Sequence, residues 1–392
     1  MKLSQRTHAV EPSATLAMTA RAKDMKARGI DVLAMSAGEP DFDTPENIKA
    51  AARAAIDAGD TKYTAVPGTP ALRQAAASWA ERLYGHRFAP AQVIVGTGGK
   101  QILFNAICCL LDPGDEALFA SPYWVSYPDM IRFAGGTPVQ VPASEREGFL
   151  PQADAIARAI TPKTRLLILN SPSNPTGAAY SEPELRAIAE VLRKHPNVAI
   201  ISDDIYSGLV YDGPFVGLAQ VAPDLHDRTL IATGVSKTYA MTGWRIGLGL
   251  GPKALVTAMS DLQGACTSSP CSIAQAAAVE ALAGDQKAVE AMRVTFKGRR
   301  DRIVAGLRAI SDLEVFAPQG AFYVFPRVTK HLGGKAKDTA ALCEHLLEHA
   351  HLALVPGSAF GSDHHIRLSF ACSDADIDEA LRRLQAGLAS LR

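Results

Sequence analysis

The chain has 392 residues and a mass of 41.5 kDa, with 47% apolar and 20% charged side chains; that balance excludes a disordered chain and allows two or three domains. Its 40 basic and 40 acidic residues cancel, so no bulk field draws nucleic acid or an anionic membrane, and no apolar run reaches the ~20 residues that cross a bilayer. None of the six cysteines sits in a zinc-ligand spacing, and the opening MKLSQRTHAVEPSATLAM lacks the apolar core of a signal peptide, so neither a metal nor a disulfide framework is expected and the expected setting is the cytoplasm.

Thr44 and Pro45 open a helical pattern, ENIKAAARAAIDA, that Gly59 closes. Thr69 and Pro70 open a second, ALRQAAASWAERLY, closed by Gly85; both pair a capping hydroxyl with Pro in the first turn and Gly past the end. Strand patterns follow at QVIVG (92–96), EALFA (116–120), RLLILN (165–170), VAIIS (198–202) and TLIAT (229–233), with a further run, WRIGLGLG, from Trp244. Ser181 and Glu184 predict a capping box before LRAIAEVLRK. The strands are continuous apolar runs, as in a parallel sheet covered on both faces. A charged helical stretch covers 285–310. The tail holds short strands (EVFAP, AFYVF, ALVPG, HIRLSF) and a last helix capped by Ser373. The expected fold is α/β: a mostly parallel central sheet in a large domain, 45–290, and a smaller α+β domain, 291–392, completed by the N-terminal segment 1–44.

In open α/β sheets, ligands bind beyond the carboxyl ends of the strands. The segments after these strands are GTGGKQ, SPYW, SPSNPTG, DDIY and GVSKTYAMTGWR. The first fails both the Walker and the dinucleotide patterns, since Gln101 stands where each needs another residue, which disfavours ATP and nicotinamide cofactors. Read alone, Lys237 is a solvated loop lysine and Asp203 a turn residue. Together with Trp124 or Tyr123, Asn174, Tyr206, Gly99, Ser236 and Arg245 they make the set that a phosphorylated cationic heterocycle requires: an amine, a carboxylate, an aromatic face, donors to a phenolate and an anion cradle.

The motifs SAGEPDFDTP (36–45), TKYTAVPGTPALR (61–73), GGKQILFN (98–105), SPYWVSYPDM (121–130), NSPSNPTG (170–177), SDDIY (202–206), SKTYAMTGWRIG (236–247), GAFYVF (320–325) and VPGSAFG (355–361) resemble, in order and over nearly the whole chain, the class I pyridoxal-phosphate-dependent aminotransferases of fold type I. Within that class they are most similar to the bacterial aspartate/prephenate aminotransferase subgroup. The resemblance implies that Lys237 forms the Schiff base with pyridoxal 5′-phosphate, that Asp203 pairs with the pyridine nitrogen, and that Tyr206 and Asn174 bond the 3′ oxygen. It assigns the phosphate to Gly99, Lys100, Ser236 and Arg245, ring stacking to Trp124, and the substrate α-carboxylate to Gly38 and Arg367. It also implies a homodimer with shared active sites, in which Tyr63 reaches the neighbouring phosphate. Two departures stand out: Asp204 replaces a glutamate, with little effect expected, and Gly234 stands where many relatives place a phosphate-binding serine.

The implied reaction is ping-pong transfer of an amino group between an L-amino acid and a 2-oxo acid, with Lys237 as acid and base. Lys100 opposes the dipole of the helix it opens, so its charge is expected to be used. The resemblance gives it the distal carboxylate of aspartate, glutamate or prephenate, and ties Thr15 to prephenate, although Thr15 also reads as a helix cap. A transaminase for aromatic or neutral amino acids, or a lyase on the same fold, remains open.

Overall fold

The computed structural model describes residues 1–11 and 14–391. Its strands are β1 (Leu33–Ala34), β2 (Val93–Thr97), β3 (Glu116–Ser121), β4 (Thr137–Pro142), β5 (Thr164–Asn170), β6 (Ala199–Asp203), β7 (Thr229–Gly234), β8 (Ile246–Leu250), β9 (Tyr323–Val324), β10 (Leu352–Ala353), β11 (Val355–Pro356) and β12 (Ile366–Ser369). The large sheet has the order β2-β8-β7-β6-β5-β3-β4. β3, β4, β5, β6 and β7 pair in parallel, and β8 lies antiparallel to both β2 and β7. The fold is thus the expected α/β type with a mostly parallel sheet.

The continuous apolar runs have a direct physical explanation. In β5, Leu166 and Ile168 enter the core shared with the helices Gly99–Leu110 and Lys253–Cys266, while Leu167 and Leu169 enter the core under the helix Glu182–Arg193. Successive residues point to opposite faces, and both faces are covered, so no polar alternation is needed. A third core packs β2, β7 and β8 against the helices Glu46–Asp57, Pro70–Tyr84 and Ser272–Ala283. Each fully buried aliphatic side chain contributes roughly 1.5–3 kcal/mol.

A separate core joins both ends of the chain. Met18, Ala22, Met25 and Met35 pack with Phe296, Ile303, Phe322, Leu346 and Leu384, and β1 pairs in parallel with β10. β12 lies between β11 and β9 in an antiparallel sheet. The charged stretch forms the helix Lys287–Ala309, and Ser373 caps the last helix, accepting from Asp376 N–H at 3.1 Å.

Several local expectations hold. Thr69 Oγ1 accepts from Leu72 N–H at 3.3 Å, Gly85 ends that helix at φ 68°, and Glu184 accepts from Ser181 N–H at 2.8 Å. Others do not. Thr44 is no cap: its hydroxyl donates to Ala240 O at 2.7 Å and accepts from Trp244 Nε1 at 2.9 Å, and Pro45 takes the cap position. β4 went unread. EVFAP contributes only an isolated bridge, Glu314 to Arg327, and AFYVF only the two residues of β9. Thr15 lies inside the first turn of the helix Ala14–Ala27 rather than at its cap; its side chain is outside the described residues.

Candidate active site

Five strands that end at the carboxyl edge of the large sheet deliver the residues of one site there. β2 runs into Gly98 and Gly99, β3 into Trp124, β5 into Asn170 and Asn174, β6 into Asp203 and Tyr206, and β7 into Ser236 and Lys237. Because β8 is reversed, its amino end reaches the same edge and Arg245 enters just before it. The glycines make this meeting possible. At φ 84°, a Cβ on Gly98 would stand 2.3 Å from Arg245 Nη2, and one on Gly247 would stand 2.4 Å from Gly99 N. The first turn of the helix Gly99–Leu110 therefore opens beside a guanidinium, where its N–H groups suit an anion. Gly234 is equally constrained: a Cβ there would meet Ile246 O at 2.8 Å, so a serine would not fit this backbone.

These groups surround a cavity of about 270 Å³. Of the residues singled out in the sequence, Gly38, Gly99, Lys100, Trp124, Asn174, Asp203, Tyr206, Ser236, Lys237, Arg245 and Arg367 line it. Tyr63 does not; it is 97% exposed outside the cavity. The cavity also gains Asn170, Thr233 and Tyr323, which sequence reasoning passed over. Asn170 fixes the site's backbone, accepting from Asn174 N–H and donating to Asp203 O, both at 3.0 Å. Tyr323 pairs its hydroxyl with that of Tyr206 at 2.9 Å and lies under the Arg367 guanidinium, 4.5 Å from ring to Cζ. A Cβ on Gly38 would come within 2.9 Å of the Tyr323 hydroxyl, so Gly38 is the residue that lets these two elements touch.

The electrostatics pair a softened cation with a softened anion. Lys237 Nζ donates to Gly38 O at 2.7 Å, and burial lowers its pKa to about 8, with Glu39 opposing and Arg245 assisting. Burial raises Asp203 to about 6, against hydrogen bonds from Tyr127 and Ile205 N–H. An amine that loses its proton near neutral pH is a competent nucleophile. In the protein free of small molecules, the reaction of Lys237 with an amine-directed acylating reagent is expected to rise with pH and reach half its limit near pH 8, because only the neutral amine reacts. A midpoint at the ordinary lysine value of 10.5 would contradict this burial.

Arg367 is 2% exposed. It donates to Asn174 Oδ1 at 3.0 Å and Ser36 O at 2.8 Å, both uncharged, and its Nε has no partner among the described residues. A buried guanidinium without an anion is costly and is ready to receive a carboxylate. Lys100 places its ammonium 5.0 Å from the Trp124 ring centre. Desolvation and the Arg245 charge lower its pKa, with Asp129 opposing. Asp204, the departure noted in the sequence, faces away from this chemistry: it is buried, accepts from Tyr84 and Ser202 at 2.8 and 2.7 Å, and burial raises it to about 7.

A family model for aminotransferases of class I and II matches residues 30–384. The chain is 50% identical, over 99% of both chains, to an aspartate/prephenate aminotransferase of Cereibacter sphaeroides, and 46% identical to one of Nitrosomonas europaea over 98% of this chain and 99% of that one. Its fold matches the aspartate aminotransferase of Rhizobium meliloti with a TM-score of 0.96 at 46% identity, covering 99% of each chain. The aspartate aminotransferase of Thermus thermophilus with maleate gives 0.94 at 44% identity, over 99% of this chain and 100% of that one. A lysine amine, a carboxylate and an anion-ready arginine thus converge on one cavity in a chain that matches this family over nearly all its length, and the protein belongs to the class I and II aminotransferases.

Proposed function

We propose that the protein is a pyridoxal-phosphate-dependent transaminase acting on dicarboxylic L-amino acids, aspartate or glutamate, with 2-oxo acids as acceptors. The observation that carries the reading is the single cavity bounded by Lys237, Asp203 and Arg367. The donor set fits the cofactor. The Gly99 and Lys100 N–H groups, Ser236 and Arg245 suit its phosphate, Asp203 its ring nitrogen, Asn174 and Tyr206 its phenolate oxygen, and Trp124 its ring face. When bound, pyridoxal phosphate supplies an aldehyde for an amine and a ring that withdraws electrons from the substrate carbon.

This chain's residues do the rest. Lys237 in its neutral form is the nucleophile and then carries the proton from the substrate Cα. Asp203 holds the ring-nitrogen proton. Arg367 takes the substrate α-carboxylate with the Gly38 backbone, which fixes the Cα–H bond next to Lys237. Tyr63, exposed and not part of its own cavity's lining, serves the phosphate of a second copy in a cytoplasmic homodimer.

Lys100 receives the distal carboxylate. Two features support this: its partly desolvated ammonium on the cavity wall, and the similar proteins, of which the Cereibacter sphaeroides enzyme is named for aspartate and prephenate and the Thermus thermophilus aspartate aminotransferase structure carries maleate, a dicarboxylate. Prephenate as acceptor and Thr15 as its contact belong to the same reading. Replacing Lys100 by alanine is expected to lower kcat/KM for aspartate by about tenfold or more, the worth of a charge-assisted hydrogen bond, and to leave alanine turnover within about twofold. Equal loss for both substrates, or loss for neither, would sink the assignment. The reading as a whole is tested by turnover of aspartate, glutamate, alanine, phenylalanine and methionine with 2-oxoglutarate, then with prephenate as acceptor. Preference for aromatic or neutral donors, or release of ammonia or pyruvate without an acceptor, would contradict it.

A further inference from the structure

Tyr127 begins the helix Tyr127–Phe133 and is 2% exposed. It does not line the cavity, yet it touches the carboxylate that does. Its hydroxyl donates to Asp203 Oδ2 at 2.5 Å. Its ring is fixed edge-on to Trp124 at 5.3 Å and leans on Phe119 at 6.2 Å. Among the described residues, Asp203 Oδ1 receives only the Ile205 N–H, at 3.4 Å. One carboxylate oxygen is therefore engaged by a short bond from a rigid phenol, and the other, with one long contact, keeps more of its acceptor capacity.

We propose that Tyr127 is a positioning residue for the reaction: by occupying Asp203 Oδ2 it leaves Oδ1 for the cofactor ring nitrogen and weakens the carboxylate as a base, so that the proton between the two stays on nitrogen. The inference rests on the pyridoxal phosphate reading above. The other ionisable groups around Asp203 do not take this part. Lys237 is a nearby charge, held by Gly38 O. Asp204 is occupied by Tyr84 and Ser202. Tyr206 is paired with Tyr323. A hydrogen bond to an ionised acceptor favours the ionised form. Without the phenol, the buried carboxylate becomes the stronger base. The N–H bond then breaks, an O–H bond forms on Asp203, and a neutral ring draws electrons less strongly.

The test compares wild type with Tyr127→Phe, using pyridoxal phosphate and its analogue with carbon in place of the ring nitrogen. In the variant, the dissociation constant for pyridoxal phosphate is expected to rise about tenfold, the worth of one hydrogen bond to a charged group, with that of the analogue unchanged. The nitrogen-15 resonance of ring-labelled cofactor should move from the pyridinium position toward neutral pyridine. In an Asp203→Asn background, Tyr127→Phe should add nothing. Intact binding of the analogue also shows that the variant folds. Equal weakening of both ligands, or an unmoved nitrogen resonance, overturns the proposal. Failure of the wild-type protein to bind pyridoxal phosphate is a separate result that removes the cofactor reading and this inference with it.

Discussion

Lys237→Ala is expected to lower transamination by about 10⁴-fold or more, because one side chain serves as both nucleophile and proton carrier. The loss should fall on kcat, since substrate recognition rests on Arg367 and Lys100, which the change leaves in place. The protein should still fold: among the described residues the Lys237 amine forms one hydrogen bond, to Gly38 O, and its removal eliminates a cation that is costly to bury. Single-turnover measurements with aspartate, set beside a thermal melt, separate these effects. A variant that keeps normal turnover, or one that loses activity only because it unfolds, would contradict the assigned role.

Arg367→Gln should have the second-largest effect. Arg367 is buried, has no anionic partner among the described residues, and stands over the rings of Tyr323 and Phe360 at 4.5 and 4.8 Å. A substrate carboxylate docked there forms charge-assisted bonds in a dry setting, and removing one partner of such a pair costs about 3–5 kcal/mol, or about 10²-fold or more. Glutamine can still bond Asn174 or Ser36, so folding should survive. The signature is a rise in KM for every α-amino acid, with little change in cofactor affinity. An unchanged KM for both aspartate and alanine would mean that the α-carboxylate binds elsewhere.

Much of this site was legible before the fold was known, for a physical reason. In a parallel sheet buried on both faces, strands are unbroken apolar runs, and the first polar residues after each run must lie at the carboxyl edge. Lys237, Asp203, Asn174 and Gly99 were found that way. Arg245 was placed with them through the segment that follows TLIAT; the pairing adds the reason, since β8 is antiparallel and its amino end lies at the same edge. β4 was missed because TPVQVP carries two prolines; at the sheet's edge a strand tolerates them. Thr44 was misread as a cap because its real partners, Ala240 and Trp244, lie about two hundred residues away. Tyr127 and Tyr323 look like core aromatics in one dimension. Their motifs were noticed, but their hydroxyls acquire meaning only when Asp203 and Tyr206 are seen beside them. Arg367 was carried by resemblance to a family; its buried, anion-free setting supplies the physical reason.

The central claim is that the amine at the end of β7 is the attachment point of pyridoxal phosphate. The most direct measurement is borohydride reduction of the purified protein loaded with one equivalent of the cofactor, followed by peptide mass mapping. The account predicts one phosphopyridoxyl group, on the peptide containing Ser236–Lys237–Thr238, and its disappearance in Lys237→Ala. A label spread over surface lysines, or none at all, would contradict it.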